Sequence, residues 1–355
     1  MGVRASFILV LVYYLTPEEV GQYGLIVSIL FFGVLLIGGD FYTYSQRKLA
    51  NASNGKLGFF LKNQIIAHLL LYCMLIPVGI IIFPEHTIPS ELAVVFFVLL
   101  ILEHILLEMS RVLLALQIHL VSSKLMVFRV VWVLILVPLM SFYENFRSIE
   151  VVLYFWLTNA IISIFFYILT IKKEAPEFSF WQEESSFSWI FQGVKASLIY
   201  FISTLLLRSL TVLDRITLEY GNDLSAVGVY TLYISIAMTI SLIVDAVLMS
   251  YYYPKLINCA GQNCGKEELV KLIKNMIGKT LIIIVSVVAV VFVSIVQFAE
   301  FFPDPIYIEN IKAIWWLLLA ASVFSLMLTP HFVLYAYHLD KENIFSTVLS
   351  LVAFF

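Results

Sequence analysis

Four side chains at one spacing carry the chemistry this sequence can offer. Thr204, Arg208, Thr211 and Arg215 fall at i, i+4, i+7 and i+11 inside a run otherwise apolar enough for a bilayer. That spacing puts them on one face of a helix. A guanidinium at hydrocarbon depth costs about 2.5–3.5 kcal/mol or more unless it faces the bundle interior or a wet cavity. Two of them on one face, with Asp214 as the one local acid, read as the lining of a lumen that takes an anion. Arginine suits phosphate because its planar fork grips two oxygens at once. His104, Glu108, Arg111 and Ala115 repeat the spacing in an earlier apolar run. There Glu108 and Arg111 form either a structural pair or a second lumen pair, and His104 reads as a packed polar residue. Arg4 adds a cation near the start of the chain, and Arg129 sits where it can snorkel to the cytoplasmic interface. Asp40 and Asp245 are carboxylates within spans, at nearly equivalent places of a repeat, and are the candidates for ion coupling.

The elements that position these groups follow from composition. The 355 residues are 62% hydrophobic and 13% charged, with a mean hydropathy of +0.99. Soluble domains run at about 45–50% apolar and about 25% charged, so the chain is a polytopic membrane protein with room for roughly ten spans. Apolar runs fall near 3–15, 23–43, 61–83, 92–116, 125–142, 151–171, 189–213, 227–252, 276–298 and 311–328. The first is short and the chain ends in an apolar run, so the sequence is expected to be part of a longer chain. Thr16-Pro17-Glu18-Glu19 reads as a capping box opening the second span. The three cysteines read as reduced thiols. With no basic tract and no phosphate-cradling glycine loop, nucleic acid is not a partner.

Loops rich in Lys and Arg, such as those holding Arg47, Lys48 and Lys56 or Lys255, Lys266 and Lys271, alternate with short acidic ones. The positive-inside rule puts the basic loops and the N-terminus in the cytoplasm. VGQYGLIVSI, residues 20–29, is echoed by VGVYTLYISI, residues 227–236. Two copies half a chain apart point to a duplication. It gives an N-terminal bundle over 1–172, a cytoplasmic linker over 173–188 and a C-terminal bundle over 189–355. No HExxH, GxSxG or other catalytic pattern appears, and Glu18-Glu19 is explained by capping. The reading is a non-enzyme with no cofactor and no metal.

The segments LTPEEVGQYGLIVSI and LDRITLEYGNDLSAVGVYTLYISI resemble the polysaccharide-export branch of the multidrug/oligosaccharidyl-lipid/polysaccharide (MOP) exporter superfamily, which includes O-antigen flippases. The resemblance implies an all-α polytopic membrane protein with two pseudo-symmetric six-helix bundles around a central cavity, here incomplete at both ends. It implies a flippase that moves undecaprenyl-diphosphate-linked oligosaccharide, an O-antigen or capsule repeat unit, across the bacterial inner membrane by alternating access, driven by an ion gradient. Its partners would be that lipid-linked substrate, membrane lipids, a polysaccharide polymerase and other assembly proteins. The family's cavity cations would map onto Arg4, Arg208 and Arg215, and the acid before the second-half arginine onto Asp214. A multidrug and toxin extrusion antiporter is the nearest alternative, although its cationic substrates want lumen acids without cations. A membrane polysaccharide polymerase or ligase would need a large outer loop, and every acidic loop here is short.

The topology is directly testable. Cysteines placed at Lys56 and Lys266 are expected to react with a membrane-impermeant maleimide only after the cells are opened. Labelling of either in intact cells would overturn the orientation.

Overall fold

The computed structural model describes residues 2–50, 57–82, 88–174, 183–221, 224–261, 264–298 and 302–337, with a few isolated positions beyond. These form helices and no strand among the described residues. In chain order the helices are α1 Gly2–Tyr14, α2 Pro17–Gly38, α3 Tyr42–Ala50, α4 Leu57–Ile82, α5 Ser90–Ala115, α6 His119–Phe128, α7 Val131–Phe142 and α8 Ile149–Glu174. They continue with α9 Phe187–Gly221, α10 Leu224–Ala237, α11 Thr239–Ile243, α12 Ser250–Gly261, α13 Lys266–Phe298, α14 Pro305–Glu309 and α15 Ala313–Ala336. Eight described helical segments are long and apolar enough to cross a membrane, and nine if Phe187–Leu198 and Tyr200–Leu206, which meet at 46°, count as one span. At 13 residues, α1 reaches about 20 Å at 1.5 Å per residue, short of a core about 30 Å thick.

Local sequence explains where these helices start and break. The capping box at α2 forms as expected: Thr16 N donates to Glu19 Oε2 at 3.0 Å, and Glu19 N donates to Thr16 Oγ1 at 3.3 Å. The expected span over 23–43 ends earlier, because Gly39 and Asp40 take left-handed backbone at φ 53° and 47°. Glycine is at no cost there and Asp is among the residues that tolerate it. The turn closes with Phe41 N donating to Gly38 O at 3.0 Å and leads into α3. The expected span over 227–252 is composite: α10 and α11 lead into a π-helical turn over Val244–Met249, then α12. Cys259 and Cys264 form a disulfide, contrary to the free-thiol reading. The chain after α12 folds back, with Cys264 N donating to Cys259 O at 2.9 Å, and this brings their Cα atoms to 4.9 Å. Cys73 is free.

By contacts the chain divides into two compact units, one of residues 22–216 and one of residues 1–21 with 217–355. The boundaries fall inside α2 and α9. In the first unit α5 packs along α8. Trp132 stacks on Trp156 with ring centres 6.3 Å apart, and Phe31 leans against the same indole at 6.2 Å. In the second unit α10 packs against α1 and α15, and α13 also packs on α15. The Tyr233 hydroxyl donates to the Tyr307 carbonyl, and Ser241 and Ser325 share a hydrogen bond at 2.9 Å. This unit holds an apolar cavity of about 380 Å³ whose lining includes Tyr13, Tyr233, Ile236, Val291 and Phe302.

Gly21 and Gly228, at matching places in the two copies of the repeated segment, meet in this second unit. A Cβ on Gly21 would overlap the Leu224 carbonyl oxygen and lie 3.0 Å from Gly228 N. A Cβ on Gly228 would overlap the Pro17 carbonyl oxygen and lie 3.2 Å from Gly21 N. The contact is reciprocal: each repeat glycine meets the carbonyl four residues before the other. Small residues let helix backbones approach this closely in membranes, where apolar burial gives no preference for helix over lipid.

Gly21→Ala and Gly228→Ala are each expected to cost about 1–3 kcal/mol by overpacking, seen as a lower melting temperature of the purified protein. Ser28→Ala, whose hydroxyl bonds its own helix at Gly24 O, is expected to melt as the parent does. Equal melting of the glycine variants and the parent would contradict the crossing.

Candidate functional site

The helical stripe read from sequence lies on α9. The Thr204 hydroxyl donates to the Tyr200 carbonyl at 2.9 Å and lies within hydrogen-bond reach of the Asp40 carboxylate, the alternative acceptor for its one proton. Arg208 is exposed and close enough to Asp40 to attract it. Arg215 is mostly covered. Its guanidinium lies 4.0 Å from the Asp214 carboxylate, which also accepts from the Arg215 backbone N–H at 2.7 Å. Seven helical residues place Arg208 and Arg215 about 10 Å apart along the axis. The Thr211 and Arg4 side chains lie outside the described residues. Asp245 is exposed, in the π-helical turn of the other unit.

Asp40 ties this stripe to a buried polar network on α4 and α5. It is 5% exposed, held in the left-handed turn after α2, and it feels Arg111 and Glu108 as well as Arg208. Glu108 accepts from Arg111, one turn further along α5, and from Gln64 Nε2 of α4 at 2.6 Å. The Arg111 guanidinium lies 3.5 Å above the Tyr42 ring, a cation–π contact that holds the cation without consuming its hydrogen bonds. His104 Nε2 approaches Glu108 Oε1 to 3.9 Å, and His104 Nδ1 is 2.6 Å from the Tyr72 hydroxyl. The His68 ring meets that of His104 edge-on, with centres 4.6 Å apart. The structure therefore brings Asp40, Thr204 and Arg208 together with Glu108 and Arg111, while Arg215 pairs with its neighbour Asp214.

A second buried network lies deeper in the same unit. Glu103, 1% exposed, accepts from Arg129 and from Trp156 Nε1 at 2.6 Å. Arg129 thus does not snorkel, because a carboxylate one helix away neutralises it inside the unit. Sequence reasoning missed Glu103, Gln64, His68 and Tyr72. The last three stand at i, i+4 and i+8 on α4, a stripe that spacing could have revealed. Glu103 carries no such local signal, since its partner is 26 residues away. Asn63, also on α4, pins the segment before α9 to that helix. Its Oδ1 accepts from Ser186 N at 2.6 Å, and its Nδ2 donates to Glu184 O at 3.3 Å.

No protein-family model and no curated protein matches the sequence. Among solved structures, the chain is similar to one described as the inward-facing conformation of a multidrug resistance MATE family transporter of the MOP superfamily. The TM-score is 0.75 at 14% identity, over 99% of this chain and 84% of that one. The chain has the fold of a MATE transporter. At that identity the likeness speaks for fold alone.

Glu103→Ala takes the carboxylate from the largely covered Arg129 guanidinium; breaking a fully buried pair costs about 3–5 kcal/mol, so the variant is expected to melt below the parent. Glu103→Gln keeps an acceptor for Trp156 and is expected to lose less. Equal melting of all three would show that the Glu103–Arg129 pair does not hold the unit together.

Proposed function

We propose that the chain is a membrane transporter that moves undecaprenyl-diphosphate-linked oligosaccharide across the bacterial inner membrane by alternating access, with its N-terminus in the cytoplasm. The transporter reading draws on the fold it shares with a MATE transporter. The observation that carries the substrate is the exposed Arg208, which stands two helical turns from Arg215 on α9. The diphosphate is the part of such a glycolipid that hydrocarbon rejects most strongly, and guanidinium is the side chain best shaped to replace its hydration. Of the acids beside the stripe, Asp214 pairs with Arg215, Glu108 accepts from Arg111 and Gln64, and Asp40 lies close enough to attract Arg208. Arg4 and Thr211 are proposed as further contacts on the same reasoning from spacing and resemblance. The duplication into 1–172 and 189–355 is proposed on the repeated segments and is supported by the reciprocal Gly21–Gly228 contact. Polymerase and other assembly proteins are proposed as partners on the resemblance alone.

A second reading, export of lipophilic cations, is favoured by Asp245. It is an exposed carboxylate at membrane depth in a π-helical turn, and such turns recur at functional sites. In the first reading Asp245 and Asp40 are the proposed ion-coupling groups.

Arg208→Ala/Arg215→Ala is expected to lower surface glycan about tenfold or more at unchanged membrane abundance, as losing charge-assisted contacts of about 1.5–3 kcal/mol each would require. Arg215→Lys should recover little, because lysine offers a point charge. Normal glycan display by the double variant at normal abundance would end the flippase reading. If Asp245→Asn abolished resistance to lipophilic cations while glycan stayed normal, the second reading would stand.

A further inference from the structure

The polar network on α4 and α5 holds three side chains that suit a metal ion. His68 from α4 and His104 with Glu108 from α5 place one ligand atom each within 4.8 Å of the others. All three residues are buried, at 6%, 1% and 8% exposure. Nε2 of His68 and Nε2 of His104 are both buried without a hydrogen-bond partner. A buried polar atom left unmet is costly, and two of them close to one carboxylate are a costly arrangement unless something sits between them. We propose that His68, His104 and Glu108 bind a divalent transition-metal ion, Zn²⁺ by class, that ties α4 to α5.

The surroundings fit that ion. Two imidazoles and a carboxylate form a borderline donor set of the kind zinc takes, whereas calcium and magnesium want oxygen alone. His104 and Glu108 stand at i and i+4 on one helix, which puts both ligands on one face. A metal-bound histidine usually donates its other ring N–H to a fixed partner, and the Tyr72 oxygen lies 2.6 Å from His104 Nδ1 to receive it. Gln64 Nε2 holds Glu108 Oε2, as a hydrogen-bonded ligating carboxylate requires. Arg111 donates to Glu108 Oε1, so the ion shares that carboxylate with the guanidinium. Zinc–ligand bonds of about 2.0–2.2 Å require the ligand atoms to draw in from within 4.8 Å to separations of about 3.4 Å. The site stands whichever substrate the chain exports.

The test uses full-length protein purified without a histidine tag, stripped with chelator and titrated with Zn²⁺. One equivalent is expected to bind and to raise the melting temperature. Co²⁺ in its place should give the visible bands of a four-coordinate site. Removing the group that orients a metal-bound histidine costs about 10–100-fold in affinity. Tyr72→Phe should therefore weaken binding by that amount, and His68→Gln or His104→Gln by about a hundredfold or more. Failure of folded parent protein to bind Zn²⁺, or undiminished binding by His68→Gln/His104→Gln, would overturn the proposal. Should those variants not fold, X-ray absorption at the zinc edge of the parent decides. Two imidazole nitrogens with oxygen support the site, and sulfur or all-oxygen coordination refutes it.

Discussion

At the crossing of Gly21 with Gly228, no side chain of any size fits between two backbones. A bilayer gives helices no hydrophobic reason to prefer each other over lipid, so association rests on close packing and satisfied polar groups. The reciprocal glycines supply the first of these. They sit in the opening turns of α2 and α10, next to the capping box that fixes where α2 begins. The starts of α2 and α10 are therefore anchored at one point, and each helical run is broken further on by a polar interruption. For α2 this is the left-handed turn at Gly39-Asp40, and for α10 and α11 the π-helical turn that carries Asp245.

Satisfied polar groups supply the second requirement. Buried charge persists at membrane depth only when it is paired and hydrogen-bonded. Glu103 with Arg129 and Trp156 meets that condition and reads as a structural staple. The network running from Asp40 through Arg111 and Glu108 meets it for the carboxylates but leaves two imidazole nitrogens unmet. The stripe on α9 differs again, because Arg208 is exposed. One unit thus holds a staple, a group of ligands and an accessible cation, and the energetic state of each suggests a different role.

Much of this was legible in the sequence where the determinant is local. The Thr16–Glu19 box, the pairing of Glu108 with Arg111 one turn apart and the polar stripe on α9 all depend on spacing within one helix, which periodicity reports. What depended on the register between helices was not legible. Glu103 finds Arg129 across a helix pair, and His68 meets His104 only because α4 and α5 pack with those turns level. The disulfide between Cys259 and Cys264 was missed for a related reason, since it follows from a local fold-back that composition does not encode. The early end of α2 was signalled by Gly38-Gly39-Asp40, where the apolar run breaks, yet the expected span ran on past them to residue 43.

Transport in a defined bilayer decides whether the chain is a glycolipid flippase. Purified protein would be reconstituted into liposomes carrying a fluorescent polyprenyl-diphosphate oligosaccharide, and arrival of the sugar in the opposite leaflet followed under an imposed ion gradient. Gradient-dependent translocation is expected, with inorganic diphosphate unable to replace the glycolipid as a substrate. No translocation of the glycolipid, with gradient-driven export of a lipophilic cation from the same liposomes, would contradict the flippase reading.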